Sequence, residues 1–376
     1  MERWAGVGLG IVAAIVYFVV GPSQVDTDSH WPIAQAFVAG RLHLVEAIPW
    51  VELVPRADGG WFSPFPPLLS VLLVPFAIVG LPIWTDASAA IAGGIAVALM
   101  WALLARLDVA EVPRVTLTLA WAFGSEMLWV AGTGGQHLAP QAIAAALLLG
   151  SLLLGFDRRW PLLAGLVLGA AAAARLPVGL ALPLILYLYR GGGWAWVLLG
   201  VAVPALVVAG YDAARFGDPF ELGYGLIRDV DGNSVLDESW YAHGIDSIWY
   251  VPQGLYTMLL KGADWQDSVP WLLPGWGGTS ILLTMPILWW VVEARGRLAL
   301  ISGITVVLVM LPNLAHGNPG FAQVGYRFIV DALPMLWILL AITFRDGLTR
   351  AAGVALMAGS AATIWLCSVV WLGFQD

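Results

Sequence analysis

Long apolar runs alternate with short polar segments along the whole chain. A membrane-spanning helix needs about 20 mainly apolar residues, which predicts an all-α, polytopic helical bundle rather than a barrel. Eleven runs are candidates for spans: Trp4 to Val20, Ala87 to Leu107, Pro113 to Ala131, Leu138 to Phe156, Trp160 to Ala174, Leu176 to Tyr189, Trp194 to Tyr211, Thr279 to Val292, Leu298 to Leu314, Phe328 to Phe344 and Ala351 to Leu372.

A twelfth apolar stretch, Ser63 to Leu81, is interrupted by four prolines, which remove backbone donors that lipid cannot replace. If it does not cross and the N-terminus is cytoplasmic, the basic loops all fall inside, as the positive-inside bias requires. Those loops hold Arg3, Arg106, Arg114, Arg158, Arg159, Arg190, Arg295, Arg297, Arg345 and Arg350. We therefore interpret Ser63 to Leu81 as a re-entrant or interfacial helix pair.

With this topology, two long segments, 21–86 and 212–278, lie outside the membrane and contain most of the acidic residues. The whole chain, 1–376, then forms one membrane domain with no separate soluble domain. The first run is preceded by a single basic residue, Arg3, whereas a signal peptide usually begins with a positively charged region. We therefore interpret this run as a retained span rather than a cleaved signal peptide. We expect an integral, multi-pass protein of the plasma (inner) membrane with its functional face outside.

Composition supports the bilayer as solvent, since 60% of the residues are apolar and 11% are charged. The net charge of -8 argues against nucleic-acid binding. Lys261 is the one lysine, so the chain has no polybasic membrane anchor. Cys367 is the one cysteine, so no intrachain disulfide or cysteine metal cluster can form. Neither a nucleotide-type phosphate loop nor a Gly-x-Ser-x-Gly element occurs, which leaves ATP-driven pumps and serine hydrolases unsupported.

Asp26 and Asp28 stand at the outer mouth of the first run, before a short helix predicted from Trp31 to Leu44. Asp28 can be explained as the cap of that helix, and this interpretation competes equally with a functional one. Asp26 is not needed as a cap, and a carboxylate beside the bilayer is costly without a task or partner. Asp26 is therefore the candidate general base.

Arg175 and Arg327 lie at outer membrane boundaries. Each could reach the interface as a snorkelling side chain, or its planar guanidinium could bind phosphate oxygens. His137 opens a span after two glycines, where a lone histidine is usually a hydrogen-bonded interfacial residue. Asp26, Asp28 and His137 could hold a divalent cation, but we expect none and no other cofactor.

Glu126 lies inside a predicted span, where we expect it to pair with a neighbouring residue or an arginine. Several tryptophans lie in the outside segments, where they can anchor the protein at the interface or stack on sugar rings. They are Trp31, Trp50, Trp61, Trp240, Trp249, Trp265, Trp271 and Trp276.

Several segments, taken in order, resemble the GT-C glycosyltransferases that use polyprenyl-phosphate sugars, most closely the protein mannosyltransferase and aminoarabinose transferase branch. The resemblance covers nearly the whole chain, although the usual adjacent acid pair appears here as Asp26-Thr27, with the second carboxylate at Asp28. The matching segments are Val25 to His30, Ile33 to Gln35, Ala39 to Leu42, Gly59 to Pro67, Gly132 to Gln141, Gly165 to Pro177, Arg215 to Phe220 with Gly223-Tyr224, and Gly325 to Phe328 before Ala332 to Pro334.

The resemblance implies inverting transfer of a sugar from a polyprenyl-phosphate donor to a lipid, glycan or protein acceptor on the outer face. Asp26 would be the catalytic base, and outer arginines would stabilise the departing lipid phosphate. The substrate-binding candidates are Asp28, His30, Arg41, Ser63, His137, Arg175, Arg215, Tyr326 and Arg327. A transporter or flippase for a lipid-linked or small solute, and a non-catalytic membrane scaffold, remain as alternatives.

Overall fold

The computed structural model of the chain describes residues 2–23, 27–229, 232–320 and 323–373. Helix makes up 67% of the structure, which confirms the all-α class. The α-helices in these four ranges are α1 Glu2–Val20, α2 His30–Val38, α3 Leu68–Ile78, α4 Thr85–Arg106, α5 Glu111–Phe123, α6 Glu126–Thr133, α7 Gly135–Asp157, α8 Pro161–Ala174, α9 Leu182–Leu188, α10 Trp194–Phe216, α11 Val251–Leu259, α12 Ile281–Thr284, α13 Arg297–Ala315, α14 Leu333–Thr343 and α15 Arg350–Trp371.

Short strands and single turns of helix occupy the connections. Strand β1 Val54–Pro55 pairs with β2 Trp61–Phe62, and β3 Asp264–Trp265 pairs with β4 Leu272–Leu273, both antiparallel. The 3-10 helices are Leu176–Ala181, Tyr224–Leu226, Val235–Asp237, Ser239–Tyr241, Ile248–Tyr250, Pro286–Glu293 and Arg327–Asp331. The strand pairs lie within the two segments predicted as outer loops, and each is a small hairpin that orders its loop.

Within the described residues, five helices are long and apolar enough to cross a membrane, namely α4, α7, α10, α13 and α15. Helices α5 and α6 would together make a sixth span, bent by 47°. The bend lies at Gly124 and at Ser125, whose hydroxyl accepts a hydrogen bond from the Met127 N–H and caps α6. These helices are consistent with a membrane protein, but the predicted count of about eleven spans is not confirmed.

Proline explains why several predicted runs are not continuous helices. The run from Leu176 to Tyr189 divides into a 3-10 helix and α9, with Pro177 and Pro183 at the start of each part. Pro286 similarly separates α12 from the following 3-10 helix. Proline lacks the N–H that continues the i to i−4 ladder, so hydropathy located these runs but not their breaks.

The stretch from Ser63 to Leu81 contains a single helix, α3, rather than the predicted helix pair. Its 11 residues span roughly 16 Å at 1.5 Å per residue. That length is well short of a hydrocarbon core of about 30 Å and fits the prediction that the stretch does not cross. Helix α3 packs against α2, so the helix pair of this region is formed by these two helices.

The bundle core lies around α7 and α14. Helices α1, α4, α7, α8 and α10 pack in succession, each against the next. Every residue of α14 from Leu333 to Ala341 is buried, whereas only 17% of the most apolar 18-residue stretch of α10 is buried. An apolar helix that faces outward along most of its length needs lipid around it.

The two ends of the bundle can be told apart by their contacts. At one end, Gly134 lies so close to the start of α4 that a Cβ on it would be 2.6 Å from the Asp86 Cα. At the opposite ends of α4 and α7, Arg106 pairs with Asp157 at 2.5 Å. Arg106 therefore lies at the end of the bundle remote from Asp86.

Both predicted outer loops lie at the Asp86 end and contact each other. The Arg228 N–H donates to the Leu53 carbonyl at 3.1 Å, and the Arg215 guanidinium donates to the Ser63 carbonyl. These contacts join the segment after α1 to the segment after α10. The two long loops therefore form one layer over that end of the bundle.

Glu126 is the buried acid of the bundle interior, and hydrogen bonds rather than an arginine satisfy it. Its Oε1 accepts from the Thr284 hydroxyl at 2.9 Å, and its Oε2 accepts from the Gly325 N–H at 3.2 Å. A Cβ at Gly325 would lie 1.7 Å from Glu126 Oε1, so only glycine fits there. This contact fixes the chain immediately before Arg327.

Candidate functional site

A cavity of about 450 Å³ lies between the loop layer and the bundle. We call it the main cavity. Its wall includes Glu52 from the first loop, His137 at the start of α7, Arg175 after α8 and Arg327 before α14. Three of these four residues were singled out from the sequence, and the structure brings them together with Glu52.

Arg175 stands in extended conformation at the joint between α8 and the 3-10 helix Leu176–Ala181. Its Nη2 donates to Asp331 Oδ2 at 2.9 Å and to Asn313 Oδ1 at 3.0 Å. Asp331 is fully buried, and the Asn313 amide nitrogen also donates to it at 3.1 Å. The positive charge of Arg175 is therefore balanced and its guanidinium is held in one position.

Arg327 lies on the same wall in a different setting. Its backbone N–H donates to Gln323 Oε1 at 3.1 Å, and its guanidinium lies 5.1 Å from the Phe328 ring centroid. Within the described ranges, no carboxylate comes within ion-pair distance of it. Burial and, to a smaller degree, the charge of Arg175 lower the pKa of Arg327 to about 10, although the charge of Glu52 opposes this shift. Arg327 therefore remains a cation at neutral pH.

Glu52 is a site residue that the sequence did not reveal. Its Oε2 lies 3.5 Å from His137 Nε2, and Glu52 lines the main cavity with 44% of its side chain accessible. Burial raises the pKa of Glu52 to about 7, and the charge of Arg327 opposes that rise. The one signal for Glu52 in the sequence is its place in the first outer loop, which it shares with several other acids.

A second acid and histidine pair also lies on the wall of the main cavity. His316 Nδ1 lies 3.0 Å from Asp246 Oδ1, and both residues line the main cavity. Asp246 is 64% exposed and thus more open to solvent than Glu52, whereas His316 is less exposed than His137. The cavity thus combines two cations with acidic groups at separate points on its wall.

Asp28 and His30 lie at the start of α2 and do not line the main cavity. Asp28 Oδ1 accepts from the backbone N–H groups of His30 at 2.7 Å and Trp31 at 3.4 Å, which is the geometry of a helix cap. Burial raises the pKa of Asp28 to about 7 despite these bonds. Asp26, the candidate base, lies outside the described residues, so that assignment stays a prediction.

Burial lowers the pKa of His30 to about 4, which keeps the ring neutral. Its Nε2 lies 3.2 Å from the Gln136 carbonyl and must carry the proton, since a carbonyl only accepts. Nδ1 then accepts from the Ser70 hydroxyl at 3.1 Å. His30 therefore ties α2 to α3 and to the start of α7.

Ser63 and Arg215 join the loop layer to the end of α10. Arg215 pairs with Asp212 at 2.5 Å, lies over the Tyr211 ring at 3.9 Å from the ring centroid and donates to the Ser63 carbonyl. The Ser63 hydroxyl accepts from the Phe65 N–H at 3.4 Å, and Phe65 lines the main cavity. Ser63 and Arg215 therefore do not line the main cavity but pack behind its wall.

Tyr326 and Arg41 are also outside the cavity lining. Tyr326 is fully buried, and its hydroxyl donates to the Asn313 carbonyl at 3.1 Å, which steadies the partner of Arg175. The Arg41 N–H donates to the Ala36 carbonyl at 2.9 Å just beyond α2. The cavity thus brings together His137, Arg175 and Arg327 from the predicted set.

No three histidine, cysteine, aspartate or glutamate side chains among the described residues are arranged to hold a metal ion. The expectation that the site binds no metal also involves Asp26 and stays a prediction. No family model matches the chain, and comparisons with curated proteins and with solved structures find no match. The glycosyltransferase resemblance therefore rests on residues and their order.

Proposed function

We propose that this protein is a membrane glycosyltransferase that moves a sugar from a polyprenyl-phosphate donor to an acceptor, with inversion at the anomeric carbon. The observation that carries the proposal is the pair Arg175 and Arg327 on the wall of one cavity that also holds Glu52. The donor is a lipid, so no nucleotide sugar is required. The loop layer faces outside, the N-terminus is cytoplasmic, and broken helices complete about eleven spans of the plasma membrane.

The cationic wall is suited to the phosphate of the donor. Guanidinium groups bind phosphate oxygens through paired N–H donors and stabilise the negative charge that develops on a leaving phosphate. Arg327 has the less compensated charge, and Arg175 is held rigidly by Asp331. In this proposal Arg327 provides most of the attraction, and Arg175 provides a second, fixed donor.

The other part of the wall is suited to the lipid chain. Leu176, Leu180 and Pro312 line the main cavity, and Leu176 and Leu180 are also among the exposed apolar residues of the bundle. An apolar path from the cavity to the outer surface would let a polyprenyl chain remain in the bilayer while its phosphate enters. A water-soluble donor would not need such a path.

The reaction breaks the bond between the anomeric carbon and the phosphate oxygen and forms a glycosidic bond. The acceptor hydroxyl oxygen attacks the anomeric carbon, its proton passes to the Asp26 carboxylate, and polyprenyl phosphate leaves with the electron pair. Glu52 lines the main cavity, where its side chain can accept a hydrogen bond from a sugar or acceptor hydroxyl. The two acids thus have separable roles.

Purified protein in nanodiscs, mixed with radiolabelled polyprenyl-phosphate sugars and an envelope lipid extract as acceptor, tests the proposal. We expect labelled product and free polyprenyl phosphate, with both lost in Asp26→Asn and retained in Glu46→Gln, an exposed acid of the same loop. Full transfer by Asp26→Asn would remove Asp26 as the base. Movement of the labelled lipid between leaflets without cleavage would favour the transporter alternative.

A further inference from the structure

A second pocket, of about 260 Å³, adjoins the main cavity on the loop side. Three aromatic side chains line it, from Trp240, Tyr256 and Trp276, together with the polar side chains of Gln253 and Lys261. We call it the aromatic pocket. None of these five side chains lines the main cavity, so the proposed donor site does not account for them.

The aromatic pocket and the main cavity share a wall. Asn318 lines both, and in the neighbouring 3-10 helix Trp240 faces the aromatic pocket while Tyr241 faces the main cavity. The Trp240 indole N–H donates to Glu238 Oε2, which orients the ring. A ligand bound in the aromatic pocket would therefore end beside the proposed site of reaction.

One fully buried side chain, Gln323, holds the aromatic pocket together. Its Nε2 donates to the carbonyls of Gly277 at 2.8 Å and Pro319 at 2.9 Å, which belong to two segments of the pocket wall. Its Oε1 accepts from the Arg327 N–H at 3.1 Å. The same amide thus fixes the aromatic pocket and the backbone of the cation proposed to bind phosphate.

The lining has the chemistry that recognises a sugar ring. The electron-rich faces of tryptophan and tyrosine attract the weakly positive C–H groups of a sugar, and amide and ammonium groups bind its hydroxyls. Lys261 is the chain's one lysine, and no carboxylate in the described ranges lies within ion-pair distance of its ammonium. By contrast, Trp249 and Trp265 are over 70% exposed and line neither the aromatic pocket nor the main cavity.

We propose that the aromatic pocket binds a sugar ring of a glycan acceptor. The role of acceptor rests on the proposed transferase function, whereas the binding of a sugar does not. This inference narrows the acceptor to a glycan, with Trp240 and Trp276 stacking on its ring and Lys261 donating to its hydroxyls. Its reactive hydroxyl would extend past Asn318 into the main cavity.

Saturation-transfer NMR on the full chain in nanodiscs, without donor, tests the binding with maltotriose, mannotriose and galactotriose as probes. We expect saturation transfer to at least one trisaccharide. In Trp276→Ala and Trp240→Ala its dissociation constant should rise about tenfold, because a stacking face is lost. Trp249→Ala is the matched control, a neighbouring exposed tryptophan outside the aromatic pocket, and should bind like the wild type.

Lys261→Met is an independent test of trisaccharide binding, because it keeps the length of the side chain but removes the N–H donors of its ammonium group. We expect weaker trisaccharide binding with an unchanged elution volume and melting temperature. Loss of binding to the same degree in Trp249→Ala, or no saturation transfer to any of the three probes, would overturn the proposal. A third result would also overturn it: unaltered trisaccharide binding in Trp276→Ala together with altered quenching of tryptophan fluorescence by brominated lipids. That result would assign the aromatic pocket to the membrane interface.

The two proposals fail in different ways. Trisaccharide binding that depends on Trp276, in a protein that never cleaves a polyprenyl-phosphate sugar, would keep the glycan site and reject the transferase. Transfer to a lipid or peptide acceptor with no effect of Trp276→Ala would keep the transferase and reject the glycan site.

Discussion

Arg175 and Arg327 line the same cavity, yet only Arg175 has its charge balanced by a buried carboxylate. The Arg175 corner is an electroneutral, hydrogen-bonded unit of Arg175, Asn313 and Asp331. The Arg327 corner holds its backbone firmly through Gln323 but leaves the guanidinium without a carboxylate partner among the described residues. We infer that the Arg175 corner maintains the fold and that the Arg327 corner attracts an anion.

The largest expected effect follows from breaking the Arg175 corner. Asp331→Asn leaves Arg175 uncompensated in a buried setting and should lower the free energy of unfolding by about 3–5 kcal/mol. An unfolding titration with SDS in mixed micelles measures this change. Asp246→Asn, which removes a 64% exposed acid paired with His316, should cost less than about 1 kcal/mol.

The double variant Arg175→Met with Asp331→Leu separates pairing from packing. It should recover much of the lost stability, because an apolar pair carries no desolvation cost. Equal losses in Asp331→Asn and Asp246→Asn would mean that Asp331 does not neutralise Arg175, and the contrast between the corners would fail.

A smaller effect, on activity rather than stability, is expected from the Arg327 corner. Arg327→Gln removes a charged phosphate donor, worth about 1.5–3 kcal/mol, so kcat/KM for transfer should fall roughly 10- to 160-fold. The free energy of unfolding should change little, since no described carboxylate loses its partner. Arg56→Gln is the matched control, an arginine of the first loop that pairs with exposed Asp58 and does not line the cavity.

Substitution of Arg175 by glutamine completes the contrast. It should reduce both transfer and stability, because it leaves Asp331 buried without its cation. If Arg327→Gln instead destabilised the protein as much as Arg175→Gln while transfer per folded molecule was unchanged, Arg327 would be a structural residue.

The smallest effect concerns the pH dependence of Glu52 beside the Arg327 corner. Burial raises its pKa to about 7, while an unfolded glutamate titrates near ~4.3. Between these values the folded protein holds a proton that the unfolded chain has released, so a rise in pH favours unfolding. The wild type should therefore lose stability relative to Glu52→Gln from about pH 4 to about pH 7.

The same unfolding titration, repeated across that range, checks the slope. Glu46→Gln, a change at an exposed acid of the same loop, should follow the wild type. A difference between wild type and Glu52→Gln that grows as the pH falls would contradict the assignment.

Hydropathy predicted the helices well because the cost of exposing backbone to lipid acts on each run separately. All eleven predicted runs begin or end within a few residues of a helix, although the runs Leu176 to Tyr189 and Thr279 to Val292 are each divided at a proline. The positions at which these helices break depend on whether the backbone carbonyls freed at each break find hydrogen-bond partners on other helices. That information is spread over distant parts of the chain.

The candidate site was predicted in part for a similar reason. Arg175, Arg327 and His137 stand at ends of apolar runs, where a charge or a ring nitrogen is conspicuous in the sequence. Glu52 lies among other loop acids, and only the folding of the first loop against Arg228 and the bundle brings it to the cavity. Asp331 lies inside the predicted run Phe328 to Phe344, and its partner Arg175 is 156 residues away.

The contact between Glu126 and Gly325 also bears on how the chain is made in the cell. Glu126 enters the membrane with the first half of the protein, but its partners, Thr284 and Gly325, are synthesised more than 150 residues later. Until they arrive, α6 carries an acid with no partner of its own in lipid. The hydrogen bonds of this acid can therefore be completed only after residue 325 has been synthesised.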